Sequence, residues 1–183
     1  MKPLLQFDGV SCRRGGRLLF ENLDLKLGPG DAFHLRGPNG SGKSSLIRLA
    51  AGLLGAEQGK IERSELALAD DALALDHELP LWRALSFWGG RVDEAIDALG
   101  LTSLARVPVR FLSTGQAKRA TLARVVASDA PLWLLDEPLN GLDSDGATRL
   151  DSLVADHLGR GGAVLAASHG RLGGTWAHLE LSA

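Results

Sequence analysis

Gly37-Pro38-Asn39-Gly40-Ser41-Gly42-Lys43-Ser44-Ser45 is the stretch whose residue types and spacing point most directly to chemistry; it fits G-x-x-x-x-G-K-[ST]. Its glycines free the backbone to turn successive N–H groups inward on phosphate oxygens, and a helix that follows adds its positive end. Lys43 then stands ready to neutralise β- and γ-phosphates, and the Ser44 hydroxyl is an oxygen ligand for Mg²⁺. Alone, the run also reads as a glycine turn ahead of a helix. Its context favours phosphate: Ala32–Arg36 reads as a strand, and Leu46, Ile47, Leu49, Ala50 and Leu53 recur at helical spacing.

A second group lies a hundred residues on. Leu132-Trp133-Leu134-Leu135 is apolar at every position and ends in Asp136-Glu137-Pro138. A carboxylate at the carboxyl end of a buried parallel strand projects into the crevice where such sheets bind ligands. Asp136 is then placed to hold Mg²⁺ through coordinated water, and Glu137 to orient and polarise an attacking water. As an isolated pair they read equally as a surface turn. Ser113-Thr114-Gly115-Gln116 opens a helix, where Ser-x-x-Gln is a capping box and the free N–H groups are also an anion site. His169 follows the apolar run Ala163–Ala167, and Asp143 is an N-cap candidate.

These residues need elements to hold them. Leu4–Val10 and Arg17–Leu27 alternate around Arg14-Gly15-Gly16 and predict an antiparallel pair. Pro80 starts a helix carrying Leu81, Trp82, Leu85 and Trp88; Val92–Leu99 and Gln116–Ala127 read as two more. Leu132–Leu135 and Ala163–Ala167 look like strands buried on both faces. Asp145–Leu158 is a helix between them, ended by Gly159 and Gly161-Gly162, and Trp176–Leu181 is a last strand. The chain is therefore α/β, with a helical lobe of about residues 78–127 inserted in one domain over 1–183.

The bulk numbers narrow the classes. At 183 residues and 45% apolar the chain has a core of its own, and a net charge of −2 gives no electrostatic footprint for direct nucleic-acid binding. Cys12 is the only cysteine, which excludes an internal disulfide. Asp8 interrupts the opening residues too early for a secretory signal, and no stretch reaches the roughly 18 apolar residues of a spanning helix. A soluble protein is expected, with any membrane role supplied by a partner.

Order decides between the readings. Phosphate loop, Leu112-Ser113-Thr114-Gly115-Gln116, apolar strand with Asp136-Glu137, Asn140-Gly141-Leu142-Asp143 and a strand-end His169 follow one another as in the ABC ATPase superfamily, whose nucleotide-binding domain this chain resembles over nearly its whole length. The resemblance implies a P-loop core with a mixed or parallel sheet, an N-terminal antiparallel edge and a small helical lobe. It also implies ATP hydrolysis with Mg²⁺ in a head-to-tail homodimer, each ATP lying between one phosphate loop and the other subunit's signature helix. Ser113, Gly115 and Gln116 would then serve the partner's nucleotide, while Glu137 and His169 act in their own subunit. An integral-membrane ABC subunit is the implied partner, which places the chain on the cytoplasmic face of the inner or plasma membrane.

Two departures stand out. Where the family stacks an aromatic on adenine, this chain has Cys12-Arg13-Arg14-Gly15, and the planar guanidinium of Arg14 is the substitute. The family's glutamine after the strand entering the helical lobe is missing. The corresponding stretch is read as Leu75-Asp76-His77-Glu78-Leu79, with His77 or Glu78 as stand-in.

Leu35–Leu46, Ala130–Pro138 and Phe87-Trp88 further resemble the ATP-binding subunits of cytochrome c maturation (haem export) systems. Rival readings are a small ABC ATPase for another substrate, a soluble non-transport ABC ATPase, and a module that binds nucleotide without turnover. The retained Lys43, Ser44, Asp136, Glu137 and His169 argue against the last.

Overall fold

The computed structural model describes residues 2–181. Among the described residues eight strands form two sheets. Strands β1 (Leu5–Arg14), β2 (Arg17–Leu27) and β4 (Gln58–Arg63) make an antiparallel sheet with β1 in the middle. Strands β3 (Ala32–Arg36), β5 (Leu66–Ala69), β6 (Leu132–Asp136), β7 (Ala163–Ala167) and β8 (Ala177–Glu180) make a parallel sheet in the order β5-β6-β7-β3-β8. The helices are α1 (Lys43–Ala51), α2 (Leu81–Ser86), α3 (Val92–Ala98), α4 (Thr114–Ala127) and α5 (Ser144–Gly159).

The two apolar runs behave as buried parallel strands should. Side chains alternate across a strand, so each run feeds two cores. Leu132, Leu134 and Leu165 pack with Leu46, Ile47 and Phe7, under α1 and the antiparallel sheet. Trp133, Leu135, Val164 and Ala166 join a second core with Leu150 and Leu153 of α5, Leu122 and Val125 of α4, and Leu81 and Leu85 of α2. The helical segment thus shares one continuous core with the sheet. Leu134 is wholly buried at the centre, and its truncation to Ala would cost roughly 2–5 kcal/mol.

Element ends follow local chemistry. Helix α1 stops earlier than the apolar spacing to Leu53 predicts, because Gly52 takes a left-handed φ of 76° and its N–H caps Leu49 O and Arg48 O. Helix α4 begins at Thr114, as the Ser113-x-x-Gln116 capping box predicts, although its apolar pattern is legible only from Gln116 on. There the Ser113 hydroxyl accepts from Gln116 N at 3.3 Å, and the Gln116 side chain accepts from Ser113 N at 2.9 Å. Both halves of the capping box are made.

Strands β4 and β5 are absent from the sequence reading. Strand β4 (Gln58-Gly59-Lys60-Ile61-Glu62-Arg63) is a polar sheet edge with one partly buried apolar side chain, Ile61. Strand β5 is a four-residue Leu-Ala alternation, too short to announce its period, and forms the edge of the parallel sheet. Its position changes the reading of the site.

Candidate functional site

The loop between β3 and α1 is built on glycine conformations. Gly37, Gly40 and Gly42 have φ of 143°, 79° and 104°, a region that L side chains rarely adopt. Gly37 is also confined by packing: a Cβ there would lie 2.4 Å from Leu181 O and 2.7 Å from Ser41 Oγ. The buried Ser41 Oγ has no protein partner. Lys43 is nearly enclosed, and its Nζ donates to Gly37 O at 2.8 Å and Pro38 O at 3.0 Å. The ammonium is thereby fixed inside the turn of its own loop.

Register brings the acidic residues to the same end. Asp136 is the last residue of β6, pairs with Ala167 of β7, and accepts the Ser44 hydroxyl at 3.1 Å on Oδ1. Burial pushes the Asp136 carboxyl above the usual range. Glu137 and Asp71 add to the rise, while the Ser44 hydrogen bond and Arg48 oppose it. Glu137 has φ 46°, unusual for a residue with a side chain, and is held there by its N–H bond to Ala167 O at 2.8 Å. Such a conformation costs on the order of 1–3 kcal/mol and concentrates at functional sites. Its Oε2 accepts from His169 N at 3.2 Å, and Oε1 lies 3.5 Å from His169 Nε2. Beneath them the buried His34 ring meets Ser168 O at 2.9 Å, tying β3 to the end of β7.

Asn39, Gly40, Gly42, Lys43, Ser44, Ser45, Glu137, Asn140 and His169 together line a cavity of about 390 Å³, with Leu19 of β2 on its wall. Residues scattered from 39 to 169 therefore converge, with a cation, a hydroxyl and a carboxylate facing one space. The donors suit a hard cation such as Mg²⁺: Ser44 Oγ and Asp136 Oδ1 are oxygen ligands already in contact. Pro38 contributes its carbonyl to Lys43.

The signature residues stand apart. Ser113, Gly115 and Gln116 line a separate cavity of about 350 Å³ with Arg119, Gly141 and Asp143. The turn 140–143 links the two spaces, since Asn140 borders the first and Gly141 and Asp143 the second. Asp143 is also an N-cap, accepting Gly146 N at 2.9 Å. Arg14 is exposed at the β1–β2 turn, opposite Arg17, and does not line the cavity of Lys43 and Glu137; Leu19 is the side chain of that sheet that does.

The stretch expected to replace the missing glutamine lies elsewhere. Leu75 is buried in the helical core, Arg110 N donates to His77 O at 3.0 Å, Val109 N donates to Leu79 O at 3.0 Å, and Glu78 pairs with Arg110. The segment is thus laced to the turn 109–111, and neither His77 nor Glu78 lines the cavity of Lys43 and Glu137. The strand beside β6 is β5, with Ala69 opposite Leu135, so Asp70-Asp71 follow it at the level of Asp136. They line a cavity with Thr114, Lys118, Thr121 and Asn140. Only recognition of Leu66–Ala69 as a strand would have found them.

A phosphate loop at a strand–helix junction, facing an acidic strand end across a parallel sheet, defines a P-loop nucleotide-binding protein. The sequence profile of the family described as "ABC transporter" matches residues 20–140. The chain belongs to the ABC transporter ATP-binding family. It is 56% identical over 177 residues to a protein of Sphingopyxis alaskensis named cytochrome c biogenesis ATP-binding export protein CcmA, covering 92% of this chain and 91% of that one. A protein of the same name from Novosphingobium aromaticivorans is 56% identical over 164 residues, covering 87% and 85%. The solved structure of an ATP-binding subunit of an ABC transporter superposes with a TM-score of 0.84 over 91% of this chain and 79% of that one; at 22% identity it attests the fold. Membership carries the family's activity, ATP binding and hydrolysis coupled to transport, and with it a membrane partner. Among the described residues no helix is long and apolar enough to cross a membrane.

Proposed function

We propose that this chain is the ATPase of a cytochrome c maturation complex, driving a haem-delivery or export step through a membrane subunit. The observation that carries the ATPase chemistry is the contact of Asp136 with Ser44, which lines, with Lys43, Glu137 and the glycine loop, one cavity. ATP lays its phosphates along Gly37–Ser45, where backbone N–H groups and Lys43 Nζ take the negative charge. Ser44 and Asp136 hold Mg²⁺, which when bound supplies charge neutralisation on the phosphate oxygens. Glu137 orients the attacking water and takes its proton on a carboxylate oxygen, its direction fixed by the His169 N–H. The His169 ring, half exposed beside it, contacts the γ-phosphate.

The second cavity supports a head-to-tail homodimer. Ser113 and Gly115 face a space of their own, away from Lys43, and complete a site only when another copy brings its phosphate loop to them. ATP then closes the dimer and hydrolysis reopens it. The base would reach beyond the cavity to the exposed β1–β2 turn, where Arg14 offers its guanidinium plane for stacking.

An exposed apolar group on the helical lobe supports a membrane subunit as partner: Phe87 is 84% and Trp82 43% exposed. That partner places the chain on the cytoplasmic face of the membrane. The role in cytochrome c maturation rests on the names of the two 56%-identical relatives. The test is genetic. Deletion should abolish covalently attached haem in c-type cytochromes while b-type haem persists, and a Lys43→Ala copy should fail to restore it. Normal c-type cytochromes in the deletion strain, with no second copy of the gene, would refute the assignment.

A further inference from the structure

Arg119 lies on α4 just beyond the signature residues, and its side chain is only 15% exposed. Nη2 donates to Asp143 Oδ1 at 2.5 Å, Nη1 lies 3.2 Å from Asp145 Oδ2, and Nη1 also reaches Leu99 O at 3.5 Å. The same Asp143 oxygen caps α5 through Gly146 N. Arg149 repeats the pattern from α5, with Nε donating to Asp145 at 2.8 Å and Nη1 to Ala98 O at 3.1 Å. Two arginines and two aspartates therefore join the end of α3, the first turns of α4 and the start of α5.

The backbone in front of this cluster is closely packed. A Cβ on Gly115 would lie 3.2 Å from Gly141 O, so the signature turn and the turn 140–143 almost touch. Both line the same cavity, with Arg119 and Asp143 in its wall. A guanidinium fork reaching two carboxylates and a carbonyl fixes orientation in a way that a lysine point charge does not.

We propose that Arg119 is a positioning residue that locks the signature turn to the turn 140–143, so that the surface offered to the partner's nucleotide moves as one rigid unit. The inference rests on the head-to-tail dimer proposed above. Its consequence is spatial: Arg119 serves the nucleotide held by the other protomer.

Mixed dimers in the intact transporter complex test it. Lys43→Ala in one protomer leaves a single competent phosphate loop. Arg119→Met is placed either in that same protomer, where its signature turn faces the competent loop, or in the other protomer, where it faces the disabled one. Relative to the Lys43→Ala mixed dimer, kcat should fall about tenfold in the first arrangement and stay within about twofold in the second. Arg119→Lys in the first arrangement should recover part of the loss. Equal losses in both arrangements, as a role in folding alone would give, or no loss in the first, would overturn the inference. Ser113→Ala in the same two arrangements tests the dimer itself. If it shows no asymmetry the head-to-tail reading fails and takes the inference with it; if it does and Arg119→Met does not, the inference alone fails.

Discussion

Ser44 and Asp136, 92 positions apart in the chain, meet at 3.1 Å and tie the phosphate loop to the acidic strand end. The contact has an electrostatic side. Desolvation, then Glu137 and Asp71, hold the Asp136 carboxyl above its ordinary range. A group raised in the fold stabilises when protonated and loses that contribution as pH rises through its folded pKa. At neutral pH the ionised Asp136 therefore weakens the fold. Asp136→Asn should raise the unfolding temperature at pH 7 while ATP turnover collapses. The gain should vanish toward about pH 4, where the wild-type carboxyl is itself protonated. Calorimetry at the two pH values, alongside an ATPase assay, checks both halves.

Lys43→Ala removes the ammonium that the loop holds by two carbonyls. The charge-assisted hydrogen bonds it would make to phosphate are worth about 1.5–3 kcal/mol, or roughly 10- to 100-fold in affinity. Titration calorimetry with ATP should read a loss of that size. Unchanged affinity would mean that the nucleotide does not sit on this loop.

Glu78→Ala should leave ATPase activity and its Mg²⁺ dependence unchanged, because Glu78 pairs with Arg110 at the surface of the helical lobe. An exposed pair of this kind contributes about 0–1 kcal/mol to stability. Asn at both Asp70 and Asp71 should instead shift the Mg²⁺ concentration that gives half-maximal turnover. The two titration curves together locate the residues nearest the metal.

His157 sets an acid limit. Its ring stacks on Trp133 at 3.9 Å, and burial depresses its pKa below 6.5. The fold then favours the neutral ring, so its stabilising contribution is complete above pH 6.5. As pH falls below that value the unfolded chain protonates first, and stability declines until the folded-state pKa is passed. His157→Phe, which keeps a ring against Trp133, should flatten the decline in denaturant midpoint over this window. An unaltered slope would place the titrating group elsewhere.

Much of the site was legible because its chemistry is local in sequence. Glycine, lysine and hydroxyl spacing announced the loop between β3 and α1, and an all-apolar run ending in two carboxylates announced β6. Strands β4 and β5 were not legible, for opposite reasons. In β4 the polar edge offers only Ile61 to a core, and in β5 four alternating Leu and Ala residues fit a strand or a helical turn equally well. Missing β5 moved the loop beside Asp136 from Asp70-Asp71 to Leu75–Leu79, a stretch that the structure binds to the turn 109–111 instead. The Arg119–Asp143 pair was invisible for another reason: 24 positions separate the two residues, and no local pattern signals a contact made only by packing α4 against the start of α5.

Glu137, held by Ala167 and His169 beside Asp136, stands where a carboxylate would activate water for ATP hydrolysis. Single-turnover hydrolysis of γ-labelled ATP by Glu137→Gln, with binding measured on the same preparation, tests that role. Gln keeps the shape and can still accept the His169 N–H, but it cannot take a proton. The variant should bind ATP with normal affinity, release labelled phosphate about a hundredfold or more slowly, and remain an ATP-filled dimer in size-exclusion chromatography. Phosphate release at the wild-type rate would contradict it.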